Sequence, residues 1–153
     1  MMNNLVAILG YEGHYAESEK VVRQTLDIQR RVLGPAHPDP LMAMNNLAVT
    51  MGYEGRYVEA EKLMKQTLDI ERRVLGPAHP STARSIYDFG CLEARQSKRD
   101  EALSLLREAV DHGLPHDVGI DKDPDLKSLH GDPHFDALVA HAKDRAAAAQ
   151  KPN

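Results

Sequence analysis

Few residues in this chain are spaced for bond-making chemistry, and each candidate set is undone by its neighbours. His130 and His134 stand four apart, the spacing that puts two imidazoles on one helical face for zinc. Gly131 and Pro133 lie between them, so no continuous helix carries both. His112, His116 and His141 are spread along the same tail, while His37 and His79 sit in duplicated linkers and read as loop-packing residues. Asp121, Asp123 and Asp125, with Asp132 at the twelfth place, echo a calcium loop. Leu126 stands where that loop needs glycine, Pro124 interrupts it, and the twelfth place should be glutamate. Cys91 is the only cysteine and has no base beside it, so it reads as a small helical hydrophobe. There is no glycine-rich phosphate loop and no triad order. No metal, cofactor or catalysis is expected. What remains is hydrogen bonding by asparagine pairs, Asn3-Asn4 and Asn45-Asn46. Asparagine is a poor helix former, so its return at matched places calls for a reason, although duplication also copies it.

The elements that must position these residues come from a duplication. Residues 3–38 and 45–80 align without a gap at an offset of 42 and match at 25 of 36 positions. A near-copy at fixed spacing marks a stacked repeat array. Each copy carries helical periodicity twice. In the second copy a first helix is expected from Pro40 to Tyr53, with Asp39 as its N-cap and Pro40 in its first turn. Gly52 and Gly55 flank a turn. A second helix is expected from Tyr57 to Leu75, burying Tyr57, Ala60, Met64, Thr67, Leu68 and Val74 at steps of three and four. Gly76-Pro77 ends it.

A further step of 42 gives a drifted third copy: Leu47 becomes Phe89, Ala48 becomes Gly90, Gly52 becomes Ala94 and Gly55 becomes Ser97. Ser81 is the expected N-cap of its first helix, and its second helix is expected from Arg99 to His112, stopping at Gly113. Then the period is lost. Residues 117–125 are rich in Gly, Asp and Pro and read as a loop, with a helical turn from Asp125 to Leu129. Asp132-Pro133 starts a last helix through Ala149 whose stripe is Phe135, Leu138, Val139 and Ala142, suited to sealing a solenoid. The organisation expected is three repeats over 1–114 (1–38, 39–80 and 81–114), a loop with a short turn over 115–131, a capping helix over 132–149 and a frayed end at 150–153. Met1-Met2 align with Ala43-Met44, so the chain is expected to start about one turn inside a helix, as the last part of a longer array would.

The 153 residues are enough for an ordinary core, and 42% hydrophobic with 27% charged content describes a globular chain. A net charge of −4 with mixed signs offers no footprint for nucleic acid or anionic membrane. No apolar run approaches the ~20 residues of a membrane span. One cysteine excludes an internal disulfide framework and fits a reducing compartment, so a cytoplasmic location is expected.

The unit with Asn45-Asn46-Leu47-Ala48, Gly55-x-Tyr57, Glu59-Ala60 and a Leu-Gly-Pro-x-His-Pro linker resembles the long tetratricopeptide repeat of kinesin light chains and their bacterial relatives. The resemblance spans residues 3–114. It implies an all-α, right-handed superhelical solenoid of antiparallel helix pairs, a concave groove that binds a peptide or protein segment, and no chemistry. It also places certain first-helix positions on the concave wall: Asn3, Asn4, Ala7 and Tyr11, then Asn45, Asn46, Val49 and Tyr53, then Arg84, Tyr87, Asp88, Cys91 and Arg95. An asparagine amide there holds a ligand backbone through donor and acceptor alike, and a tyrosine adds apolar contact with a polar tip. The third copy departs from this, since Asp88 replaces the asparagine and Arg84 and Arg95 add charge. The groove is therefore expected to become more charge-selective toward the C-terminus. The alternative is a structural role, a homodimer formed through the N-terminal face.

Overall fold

The computed structural model describes residues 15–150. The helices are α1 (Tyr15–Leu33), α2 (Pro38–Tyr53), α3 (Tyr57–Val74), α4 (Pro80–Arg95), α5 (Arg99–Asp111) and α6 (Pro133–Ala149), with two 3-10 turns, η1 (Ile120–Lys122) and η2 (Pro124–Leu129), before α6. No strand occurs among the described residues. Links of three to five residues join α1 through α5, so neighbours run antiparallel and pack in sequence. α2 also touches α4 directly, which makes these two the inner layer of an all-α solenoid. α6 closes the far end on α5, burying Phe135 and Leu138 with Val139 and Ala142 half-buried beside them.

The helix starts differ from expectation in an instructive way. The linker histidines are N-caps. His37 Nδ1 accepts from the Asp39 N–H at 3.2 Å, and His79 Nδ1 accepts from the Ser81 N–H at 3.1 Å. The helices therefore begin at Pro38 and Pro80, each capped two residues before the expected Asp39 and Ser81, and the linker proline takes the first helical position. Asp39 and Ser81 sit inside the first turn rather than capping it. At α6 the expectation holds, with Asp132 Oδ1 accepting from the His134 and Phe135 N–H groups at 2.8 and 3.4 Å.

Turns follow the glycines. Gly55 has φ +78° between α2 and α3. In the third copy Ser97 replaces it and keeps φ at 60°, the one non-glycine with positive φ among the described residues. Gly90 has a different reason to lack a side chain: a Cβ there would lie 2.9 Å from Leu106 Cγ, so α4 and α5 approach closely at that point.

On α3 the buried stripe runs through Ala60, Met64, Thr67 and Leu68, and then through Glu71. Val74, expected inside, is 49% exposed, and Leu75 packs inward instead. Glu71 is 1% exposed. Its Oε1 accepts from Ser85 Oγ at 3.1 Å and its Oε2 has no partner. Burial, aided by the Asp88 charge and opposed by the Ser85 bond, raises its carboxyl to about 7.

Candidate functional site

The concave side holds a cavity of about 720 Å³ between α2, α4, Tyr15 and the tail loop. From α2 come Asn46, Val49, Thr50 and Tyr53, and from α4 come Arg84, Tyr87, Asp88, Cys91 and Arg95. Both sets follow steps of three, four and seven, which keep them on one helical face. Among the described residues, those the sequence marks as a wall are thus brought together, with one exception. Asn45 is buried at 4% exposure, and its amide donates to Asp88 Oδ2 at 2.6 Å, so it ties α2 to α4 behind the wall. Asn3, Asn4, Ala7 and Tyr11 lie outside the described residues.

The tail supplies what the sequence reading missed. Lys122, Asp123, Pro124 and Asp125 line the cavity too. Tyr87 Oη donates to Asp123 Oδ2 at 2.5 Å and Tyr53 Oη donates to Asp125 Oδ2 at 2.6 Å. Arg95 reaches Asp125 Oδ1 at 3.5 Å, and Ser128 Oγ donates to the Ala94 carbonyl at 3.3 Å. The loop thus folds back over the inner face of α4 as far as α2. Ile120, Leu126 and Leu129 hold it there as members of the main core. Burying such side chains stabilises by roughly 1.5–3 kcal/mol each, so their sum is comparable with the marginal stability of a whole domain. The loop is therefore anchored in the same core as the repeats. The signal available in sequence was the acidic run itself, which follows an inner helix that carries Tyr87 and Arg95.

Burial dominates the electrostatics of the cavity wall. Burial raises the Tyr53 and Tyr87 hydroxyls; the Asp125 bond adds to the first, and Cys91 and Asp123 add to the second. Burial also raises Asp88, against the pull of Arg84 and Asn45. The Cys91 thiol is pushed well up by burial and then by Asp123, Asp88 and Asp125, the reverse of what a nucleophilic thiolate requires. Arg95 lies with Cζ 3.9 Å from the centre of the Tyr53 ring, whose other partner is Tyr15, stacked at 5.8 Å and 5°. Among the described residues no group of three or more His, Cys, Asp or Glu is placed to hold a metal ion. His130 stacks on Phe135, while His134 meets Arg99 and Asp132. No helix among the described residues is long and apolar enough to cross a membrane.

No curated protein sequence matches the chain. Among the solved structures that share its fold are two of a Podosopora anserina putative kinesin light chain with nearly identical TPR-like repeats. One, a point variant of that protein, is 20% identical with a TM-score of 0.68, covering 98% of this chain and 75% of that one. The other is 16% identical with a TM-score of 0.66, covering 99% and 96%. Tetratricopeptide repeats are generally non-catalytic modules of protein interaction. The profile of that repeat matches residues 1–70 and again 41–112, and with the helix-pair solenoid it shows that the chain belongs to the tetratricopeptide repeat family.

Proposed function

We propose that the chain is a protein-interaction module that takes a peptide or protein segment in the concave groove between α2 and α4, working as a non-catalytic scaffold. The observation that carries this reading is the cavity of about 720 Å³, within the range that holds a small ligand or a few residues of chain. Asn46 supports it: its side-chain amide lines the cavity and makes no hydrogen bond among the described residues. Such an amide offers about 1 kcal/mol per bond to a ligand backbone. The single, buried cysteine fits work in a reducing compartment such as the cytoplasm. The test is a pull-down with the wild-type chain as bait beside Asn46→Ala. The variant is expected to lose the captured partner at an unchanged melting temperature. Equal capture would remove Asn46 from the site, and a large fall in melting temperature would make it structural.

A second reading, dimerisation through the N-terminal side, has its own support. Ile28, Val32 and Leu33 on α1 are 57%, 74% and 42% exposed. In the second copy the counterparts of Ile28 and Leu33, Ile70 and Leu75, pack against the cluster of Leu26, Leu41, Ala43 and Met44. Light scattering over a dilution series decides it, since a monomer at every concentration would sink the dimer.

A further inference from the structure

The two repeat junctions differ at three matched places. At the first, between α1 and α2, stand Gln29, Pro40 and Ala43; at the second, between α3 and α4, stand Glu71, Thr82 and Ser85. Thr82 and Ser85 lie one turn apart on one face of α4 and are buried, at 0% and 3% exposure. Ser85 Oγ donates to Glu71 Oε1 at 3.1 Å, whereas Glu71 Oε2 and Thr82 Oγ1 have no partner. Among the described residues no cation of α2, α3 or α4 pairs with Glu71, and the one charge that acts on it is Asp88, a turn beyond Ser85. A buried carboxylate with a single hydroxyl donor and no counter-charge is costly, while the protonated form is neutral and supplies an O–H of its own. The same helix forms the groove wall. Asp88 lines the cavity beside Arg84, whose Nε is 3.3 Å away, and is held to α2 by the Asn45 amide at 2.6 Å. α4 is therefore fixed on one side to α3 through Glu71 and on the other to α2 through Asp88.

Resting for its functional consequence on the groove reading above, we propose that the junction between the second and third copies is a proton-gated hinge, closed while Glu71 carries a proton and opened locally when the carboxyl ionises, which loosens the α4 wall of the groove. The carboxyl keeps its proton up to about 7 in the closed junction and gives it up at 4.5 where water reaches it, so opening grows as pH rises through this span and levels off above about 8. The ionised carboxylate is also repelled by Asp88. Gln29 does not titrate, so the first junction has no such gate. By linkage, a partner that needs the closed wall binds more tightly on the acid side and itself holds the proton on Glu71.

The test is hydrogen exchange of the full chain, followed by mass spectrometry and corrected for the intrinsic rate at each pH. Segments 80–88 of α4 and 38–46 of α2 occupy matched places and serve as probe and control. Between about pH 6 and about pH 8 the protection of 80–88 is expected to fall about ten-fold more than that of 38–46. Glu71→Gln removes the difference. Ser85→Ala, which takes away the one bond that favours the charged form, moves the fall to higher pH. An equal fall in both segments means that the whole domain loosens and overturns the hinge. Constant protection of 80–88, a fall that survives in Glu71→Gln, or one that Ser85→Ala does not move overturns it too. Each of these outcomes leaves the groove reading standing, because capture on the Asn46→Ala chain decides that reading separately.

Discussion

Replacing Glu71 by glutamine tests how burial sets the stability of the repeat interface. The position has its own control in the chain: Gln29 stands at the same place in the first copy, and Ala43 stands where Ser85 does in the third. The Glu71 carboxyl rises from 4.5 to about 7 on folding because ionising it means holding a charge in the core, with Asp88 adding to the cost. The folded state then binds more protons than the unfolded state between these two values. Stability is therefore full below about pH 4.5 and falls as pH rises through about 7. A rise of that size corresponds to about 3 kcal/mol lost by pH 8. Glutamine removes the charge and keeps an oxygen for the Ser85 hydroxyl. Its amide N–H takes the place of the unpartnered oxygen and costs about 1 kcal/mol. Glu71→Gln is thus expected to stabilise by about 2 kcal/mol near pH 8 and to be neutral or slightly destabilising near pH 4.5. Urea unfolding followed by circular dichroism across that range measures it. A variant less stable than wild type at pH 8, or a gap between the two that does not change with pH, would refute the reasoning.

Three other perturbations follow from the same geometry. His79→Ala removes the side-chain acceptor for the Ser81 N–H and should cost about 1 kcal/mol in urea unfolding, while His79→Asn should restore most of it. Ser97→Gly relieves a left-handed residue and should raise stability by about 0.5–1 kcal/mol; a fall would mean the serine side chain compensates for its backbone. Leu126→Ala should cost about 2–5 kcal/mol and shift the whole unfolding transition, whereas a loop that opened alone would show a separate early phase.

The repeat architecture was legible because two copies share most of their letters at a fixed offset, and the third keeps the sizes of its apolar residues where its letters have drifted. The inner wall was legible for the same reason: Asn46, Val49 and Tyr53 share a face whatever their partners. The caps were not. Aspartate and serine outrank histidine as N-caps, so Asp39 and Ser81 point to a boundary two residues late, while an imidazole nitrogen does the same work from the linker. Glu71 was hidden by its charge, since a glutamate on a helix reads as surface unless its pairing is known.

The tail was the largest gap, and its cause is physical. Periodicity reports contacts within an element, whereas the 117–129 segment is ordered by contacts with α2 and α4, far away in sequence. Of its buried residues, Leu126 and Leu129 share one face of the η2 turn and Ile120 stands apart in η1, a pattern too short to show which surface it covers. A repeat array that stops must cover two surfaces: the end of its stack and the last inner helix, whose concave face would carry Tyr87 and Arg95 into solvent. α6 covers the first with an ordinary apolar stripe, which sequence reveals. The second is polar, so its cover is a pair of carboxylates on a proline-stiffened loop, and only the partners on the wall show why Asp123 and Asp125 stand where they do.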